Sequence, residues 1–292
     1  MMKDIRSLAG TLKRALVRAV PHSVSYRFHR RRQRRFATAP DYTQHVFDSS
    51  QQPLDPQDSL SVEFHRRGPW FTQFAINGRF YGGRNSYDDD TRIADYFEWI
   101  RPRGTVLELG SFEGGHSLRI AQRPEVTSLL GLEGREFLIA RAEFVARTFE
   151  IQKISFRRCD FEVDRLTTFG HFDSVFCSGL LYHLSRPWRL LREISRVTEN
   201  VFLSTHFAIR GVERLAGYEG ERRAEYGHAE PLSGLHSYGF WLTLDSLRFA
   251  LRRVGLEIAH ERLLLDHPVA PPLVNIYART VRASSSRQRS LR

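Results

Sequence analysis

The stretch Thr105 to His116, TVLELGSFEGGH, sets the reading of the whole chain. A short aliphatic and β-branched run carries one acid, turns through three glycines and opens a helical pattern. That is the sequence of a strand, a tight turn and a helix, the first unit of an α/β nucleotide-binding sheet. A glycine turn in that place aims backbone N–H groups at a ligand.

The units that follow keep alternating. Strands are expected at Val106 to Leu109, Ser128 to Leu132, Ile154 to Arg158, Phe172 to Cys177 and Asn200 to Thr205. Helices are expected from about Gly115 to Gln122, Glu136 to Phe149, Trp188 to Val197 and Leu244 to Val254. The last two strands, Leu256 to Leu265 and Leu273 to Thr280, have only a proline-bearing turn between them and read as an antiparallel hairpin at the sheet edge. Upstream, WFTQFAINGRFYGG, Trp70 to Gly83, alternates around Asn77-Gly78 and reads as a tight hairpin. The segment after it, SYDDDTRIADYFEWI, is a helix with acids at its start that stops near Pro102.

The chain has 292 residues and a net charge of +11. That charge sits at the ends: Met1 to Phe36 holds eleven Lys/Arg against one acid, and Tyr277 to Arg292 five Arg and no acid, which leaves the middle at about −4. On a helix, Ile5, Leu8, Leu12 and Leu16 share one face and the basic residues the other, followed by FHRRRQRRF. This leader is expected to meet an anionic membrane surface or RNA, or to be a solvated tail. No apolar run approaches the about 18 residues needed to span a bilayer, so a cytoplasmic location, or one at the periphery of a membrane, is expected. Cys159 and Cys177 have no paired spacing, and the twelve histidines form no ligand pattern, so no metal is expected.

Three ligands compete for the turn. A Walker loop needs a Gly-Lys-Ser/Thr ending, which Gly114-Gly115-His116 lacks. A dinucleotide turn needs a bare middle glycine, and Phe112 stands there. The acids around the turn would repel a pyrophosphate but accept hydrogen bonds from hydroxyls or an ammonium, so a ligand with a ribose and no phosphate fits better.

From about Gly104 to Thr280 the chain resembles the class I S-adenosylmethionine-dependent methyltransferases. Glu108 to Gly115 resembles the family's first motif, which implies that Glu108, Gly110, Ser111, Gly114 and Gly115 hold the methionine part of the cofactor. By the same resemblance Glu133 would take the ribose hydroxyls, Asp160 and Phe161 the adenine, and the FDSVFCSGLLYHL segment with Ser178 would lie at the methyl-transfer mouth. The implied fold is a Rossmann-like, mostly parallel α/β sheet with a C-terminal antiparallel hairpin and a basic N-terminal extension. The implied organisation is a leader (1–36), a linker with hairpin and helix (37–103), the methyltransferase domain (104–281) with an insertion (207–240), and a basic tail (282–292).

Where an acceptor carries a proton, such a site calls for a general base. His183, after the fourth strand, is the first candidate, and His206, after the fifth, the second; each has a structural role as its alternative. His116 reads as a local cap or cofactor-side contact. Tyr218, Tyr226, His228, His236, Tyr238 and Trp241 are candidate lining residues of a mobile cover, or parts of a plain surface loop. The acceptor expected is a small molecule or lipid-like compound; the alternatives are an RNA, to which a weaker resemblance to tRNA wobble-uridine modifying enzymes points, and a non-catalytic adaptor.

Overall fold

The structure is a computed structural model that describes residues 51–265 and 271–280. The basic leader, the first part of the linker and the basic tail lie outside the described residues. Two elements precede the sheet. Helix α1 (Ser59–Arg67) is capped by Asp58, whose carboxylate accepts from the Leu60 N–H at 2.9 Å. Strands β1 (Gln73–Ile76) and β2 (Arg79–Gly82) form the hairpin, with Asn77 at φ 50° and Gly78 at φ 77°, the left-handed pair that a two-residue turn of this twist requires. Phe64, Trp70, Phe74, Tyr81 and Phe144 bury one another around these elements. The Trp70 Nε1–H donates to the Phe64 carbonyl at 2.7 Å, so the indole is buried without a stranded donor.

Helix α2 (Thr91–Trp99) is capped by Asp90 and leads into β3 (Gly104–Leu109), α3 (Gly115–Ala121), β4 (Val126–Glu133), α4 (Glu136–Thr148) and β5 (Ile154–Arg158). There follow β6 (Ser174–Ser178), α5 (Pro187–Ile194), β7 (Asn200–His206), then β8 (Glu213–Leu215), β9 (Tyr218–Ala224), β10 (Tyr238–Leu242), α6 (Leu244–Arg253), β11 (Leu256–Leu264) and β12 (Leu273–Thr280). The main sheet has seven strands in the order β11-β12-β7-β6-β3-β4-β5. All neighbours from β5 to β7 pair parallel, whereas β12 runs antiparallel between β7 and β11.

Alternation along the strands decides the layers. Val106, Phe176 and Phe202 face α2 and α3, packing with Ile93, Tyr96 and Ile120. Leu107, Leu109, Val175, Cys177, Val201 and Leu203 face α5 and α6, packing with Leu190, Ile194, Leu247 and Leu251. Both faces of the parallel strands are covered, which is why they read as continuous apolar runs.

Two elements escape a reading of the sequence. Helix α1 is polar, and its apolar positions meet the hairpin rather than the sheet. The insertion after β7 holds a three-stranded antiparallel sheet, β10-β9-β8, in place of a loop. Strand β9, YEGERRA, carries too few apolar residues to announce itself; its pairing with β10 holds it.

Candidate functional site

The predicted site residues gather at one place because the parallel strands all end on one edge of the sheet. Glu108 is the penultimate residue of β3, Glu133 the last of β4, Ser178 the last of β6 and His206 the last of β7; Asp160 and Phe161 follow β5 and His183 follows β6. The strand order reverses between β3 and β6, because the chain runs outward through β4 and β5 and then returns to β6 and β7 on the other side of β3; open α/β sheets bind ligands in the crevice at such a point.

The turn itself is stiff. Gly110 (φ 76°) and Gly114 (φ 82°) take left-handed backbone, and so does Phe112 (φ 51°). Phe112 thus supplies the same backbone bend a glycine would, while its ring meets Phe71 edge-on with centroids 6.0 Å apart. A Cβ on Gly110 would come within 3.3 Å of the Leu180 side chain, so that position is crowded as well as left-handed.

Acids hold the turn from three sides. Glu133 accepts from the Phe112 N–H (3.1 Å) with one oxygen and from the Gly134 and Arg135 N–H groups (2.8 and 3.1 Å) with the other. Glu113 is fully buried; it accepts from the Thr72 N–H at 2.7 Å and pairs with Arg141 at 3.0 Å. Glu108 accepts a hydrogen bond from the Ser117 hydroxyl, and burial, reinforced by the charge of Glu133, pushes its pKa up to about 8. Its other oxygen, Oε1, and the Ser111 hydroxyl are buried with no hydrogen-bond partner among the described residues. Such groups call for a hydrogen-bond partner from outside the chain.

A second cluster lies beside Ser178. Asp90 takes a forked contact from Arg92 and the Nε2 of His116 at 3.1 Å, and Arg92 Nη1 reaches the Ser178 hydroxyl at 3.3 Å. Burial opposes ionisation of Asp90, but His116 and Arg92 outweigh it and hold the carboxyl well below its usual range. Burial, with the charge of Arg92, drives His116 down to about 4, so its ring is neutral and donates to Asp90. His116 is therefore locked in the framework, with its ring against Tyr87 and Phe176.

His183 and His206 differ in their surroundings. The His183 Nδ1 faces the Glu225 carboxylate at 2.8 Å. His206 stacks on Trp241 with ring centroids 5.2 Å apart, and its Nδ1 faces the Pro272 carbonyl at 3.2 Å. Cys177 and Cys159 are buried, and burial raises both thiols to about 12, which removes them as nucleophiles.

The insertion packs on this edge. Leu235 lies against Gly134, His236 Nε2 stands 3.4 Å from Asp160, and the Arg135 guanidinium donates to the carbonyls of Gly227, Glu230 and Ser233 at 2.8, 2.8 and 2.6 Å. A surface loop without specific contacts is thus ruled out for this segment. Of the six lining candidates, Tyr218 is buried against Trp188 and Trp241 against His206, while Tyr226 is exposed. Reasoning from sequence missed Arg92, Glu113, Arg135 and Glu225. Arg135 alone carried a signal, its place two residues beyond the strand-end acid.

A family model described as a methyltransferase domain matches residues 100–216. The N-terminal domain of EvdMO1, solved in the presence of SAH and D-fucose, is 31% identical over 78% of this chain and 98% of that one, with a TM-score of 0.68. The chain belongs to the class I S-adenosylmethionine-dependent methyltransferases. Full-length EvdMO1 is 30% identical, and the match spans 49% of its length (78% of this chain; TM-score 0.57). A methyltransferase from Mesorhizobium loti shares the fold, at 20% identity over 65% of this chain and 99% of that one, with a TM-score of 0.50. No curated protein sequence matches the chain. Among the described residues no helix is long and apolar enough to cross a membrane, and no cluster of His, Cys, Asp and Glu could hold a metal ion.

Proposed function

We propose that this enzyme transfers the methyl group of S-adenosylmethionine to a hydroxyl of a small polyhydroxylated acceptor, a sugar in the first instance. The observation that carries this reading is the likeness to the EvdMO1 N-terminal domain, which was solved with SAH and D-fucose and is matched over nearly its whole length. The domain limits 104–281, with the insertion at 207–240, go with it.

The residues present fit the cofactor. The open Oε1 of Glu108 suits the ammonium of its methionine part and the Ser111 hydroxyl the rest of that chain, while Gly110, Gly114 and Gly115 shape the turn that brings them there, the Gly110 and Gly114 N–H groups being engaged with the Leu132 and Ser111 carbonyls. Glu133, already fixed by three backbone donors, has acceptor capacity left for the ribose hydroxyls. Asp160 and the Phe161 N–H serve the adenine. Arg92, oriented by Asp90 toward Ser178, is the cation suited to the carboxylate of the methionine part.

The cofactor supplies a methyl group already activated by its sulfonium charge, so the protein contributes alignment and a proton acceptor. His183 is the base. His183 Nε2 would take up the proton of the acceptor hydroxyl as that oxygen is methylated. His206, stacked and engaged with Pro272, is the weaker candidate.

The test uses cofactor carrying a labelled methyl group and three acceptor sets: free hexoses and deoxyhexoses including D-fucose, total tRNA, and a lipid extract. Label in an O-methyl sugar supports the reading. Label in tRNA, with binding that falls steeply with salt, or in lipid would replace it.

A further inference from the structure

We propose that Glu225, carried by the insertion, is the positioning residue of His183, fixing its ring with the proton on Nδ1 and Nε2 open toward the acceptor, and that Arg135 and Ser233 seat Glu225. The proposal rests on the reading of His183 as the base, and it adds a part that the glycine turn and the strand ends do not supply.

The contacts form one continuous chain. His183 Nδ1 stands 2.8 Å from Glu225 Oε1. The other carboxylate oxygen accepts from the Ser233 hydroxyl at 2.5 Å and from the Gly234 N–H at 2.6 Å, so Glu225 has a donor on each side. Ser233 is placed in turn by Arg135, whose Nη2 donates to its carbonyl at 2.6 Å, and its hydroxyl also takes the Tyr226 N–H at 2.7 Å. Arg135 directly follows the Glu133–Gly134 pair, so the chain of contacts starts at the proposed ribose site and ends at the proposed base.

Glycines make the approach possible. A Cβ at Gly234 would come within 2.6 Å of the His183 carbonyl, and one at Gly239 would strike the Tyr182 carbonyl. The backbone of the insertion therefore lies directly on the turn that carries His183, and the Phe240 N–H donates to the Leu184 carbonyl at 2.8 Å to hold it there. The Glu225 side chain is 8% exposed. Burial favours its neutral form, but the hydrogen bonds from His183, Ser233 and Gly234 outweigh burial and keep the carboxyl below its usual range, hence ionised at neutral pH. A buried carboxylate facing one ring nitrogen selects the tautomer that donates to it. The remaining nitrogen then has only one role, accepting a proton.

The experiment records long-range proton–nitrogen correlations of histidine-labelled full-length protein with SAH bound, the His183 signals being those lost in His183→Gln. The Nδ1–H form of His183 is expected to exceed the Nε2–H form by about tenfold or more, the ratio a charge-assisted hydrogen bond gives. An Nε2–H ring in the wild type overturns the proposal, whatever any variant does. In Glu225→Ala the preference should reverse while SAH still binds; an unchanged tautomer in a variant that binds SAH overturns it. Because a purely structural histidine would keep Nε2 covered, diethyl pyrocarbonate should modify wild-type His183, read by peptide mass, and protection there also overturns the assignment. Absence of SAH binding by the wild type would instead sink the methyl-transfer reading, and the tautomer measurement without SAH would still decide the role of Glu225.

Discussion

Glu113 and Arg141 form a buried ion pair, Oε1 to Nη1 3.0 Å, that ties the glycine turn to helix α4. The same carboxylate receives the Phe71 and Thr72 N–H groups, so this side chain also ties the segment leading into the hairpin to the turn. Arg141 also donates to the Arg67 carbonyl at 2.7 Å, at the end of α1. A buried pair with its hydrogen bonds satisfied adds little over a packed apolar pair, but breaking one leaves an uncompensated charge. Glu113→Ala is expected to lower unfolding free energy by about 3–5 kcal/mol, measured by urea denaturation. A loss under about 1 kcal/mol would show that water reaches this pair.

Glu108 predicts a pH dependence. Its folded pKa of about 8 lies above the unfolded 4.5, so the folded cofactor-free chain keeps a proton that the unfolded chain has released. The stability this contributes is fully present below about pH 4.5 and is lost as pH rises through about 8. Glu108→Gln should therefore gain stability relative to the wild type as pH rises across that window, measured as the difference between the two thermal unfolding profiles. A cationic ammonium beside Oε1 would favour the ionised form, so SAH binding near pH 7 should release a proton. Calorimetry in buffers of different ionisation enthalpy reads that release, and Glu108→Gln should abolish it.

Glu133 holds the turn in addition to its proposed ribose contact. From the sequence alone, Glu133→Ala would weaken cofactor binding and leave the fold unharmed. The structure changes that expectation, because three backbone N–H groups would lose their acceptor in a buried place. Stranded buried donors cost about 1–3 kcal/mol, so the variant should unfold at a lower temperature as well as bind SAH more weakly. Calorimetry and thermal unfolding together check it; unchanged SAH affinity would remove the ribose contact.

The sheet was legible because parallel strands buried on both faces write long apolar runs, and because Glu108, Glu133, Ser178 and His206 each sit at a strand end that those runs mark. The paired elements were less legible. Strand β9 is polar on its face, and its place depends on β10, some twenty residues on. Glu225 lies 42 residues from His183, and no local pattern records that a turn after β6 and the end of β9 will meet. The same holds for Arg92 and Ser178, 86 residues apart. Residues that form an element sign their own sequence, whereas partners across elements do so only through the fold. The final hairpin was legible too: β11 and β12 pair antiparallel at the sheet edge, with β12 against β7 and β11 outermost.

Phe112 offers the sharpest test of the turn. It stands where a dinucleotide turn would have its middle glycine, and its φ of 51° shows that the backbone is left-handed there despite the side chain. Holding a non-glycine residue there costs about 1–2 kcal/mol. Phe112→Gly would recover that cost. The substitution would also give up the edge-on contact with Phe71, about 0.5–1.5 kcal/mol, and incur the entropy penalty of a glycine, about 0.5–1 kcal/mol. The half-buried ring also gives up apolar contact area, about 1 kcal/mol, so the losses exceed the gain and Phe112→Gly should lower the unfolding free energy by about 1–2 kcal/mol. Phe112→Val gives up the ring contact and keeps a β-branched side chain in left-handed backbone, so it should be the less stable of the two by about 1–2 kcal/mol. Urea denaturation of the pair decides the matter: if valine is tolerated better than glycine, the turn is not held in the left-handed conformation.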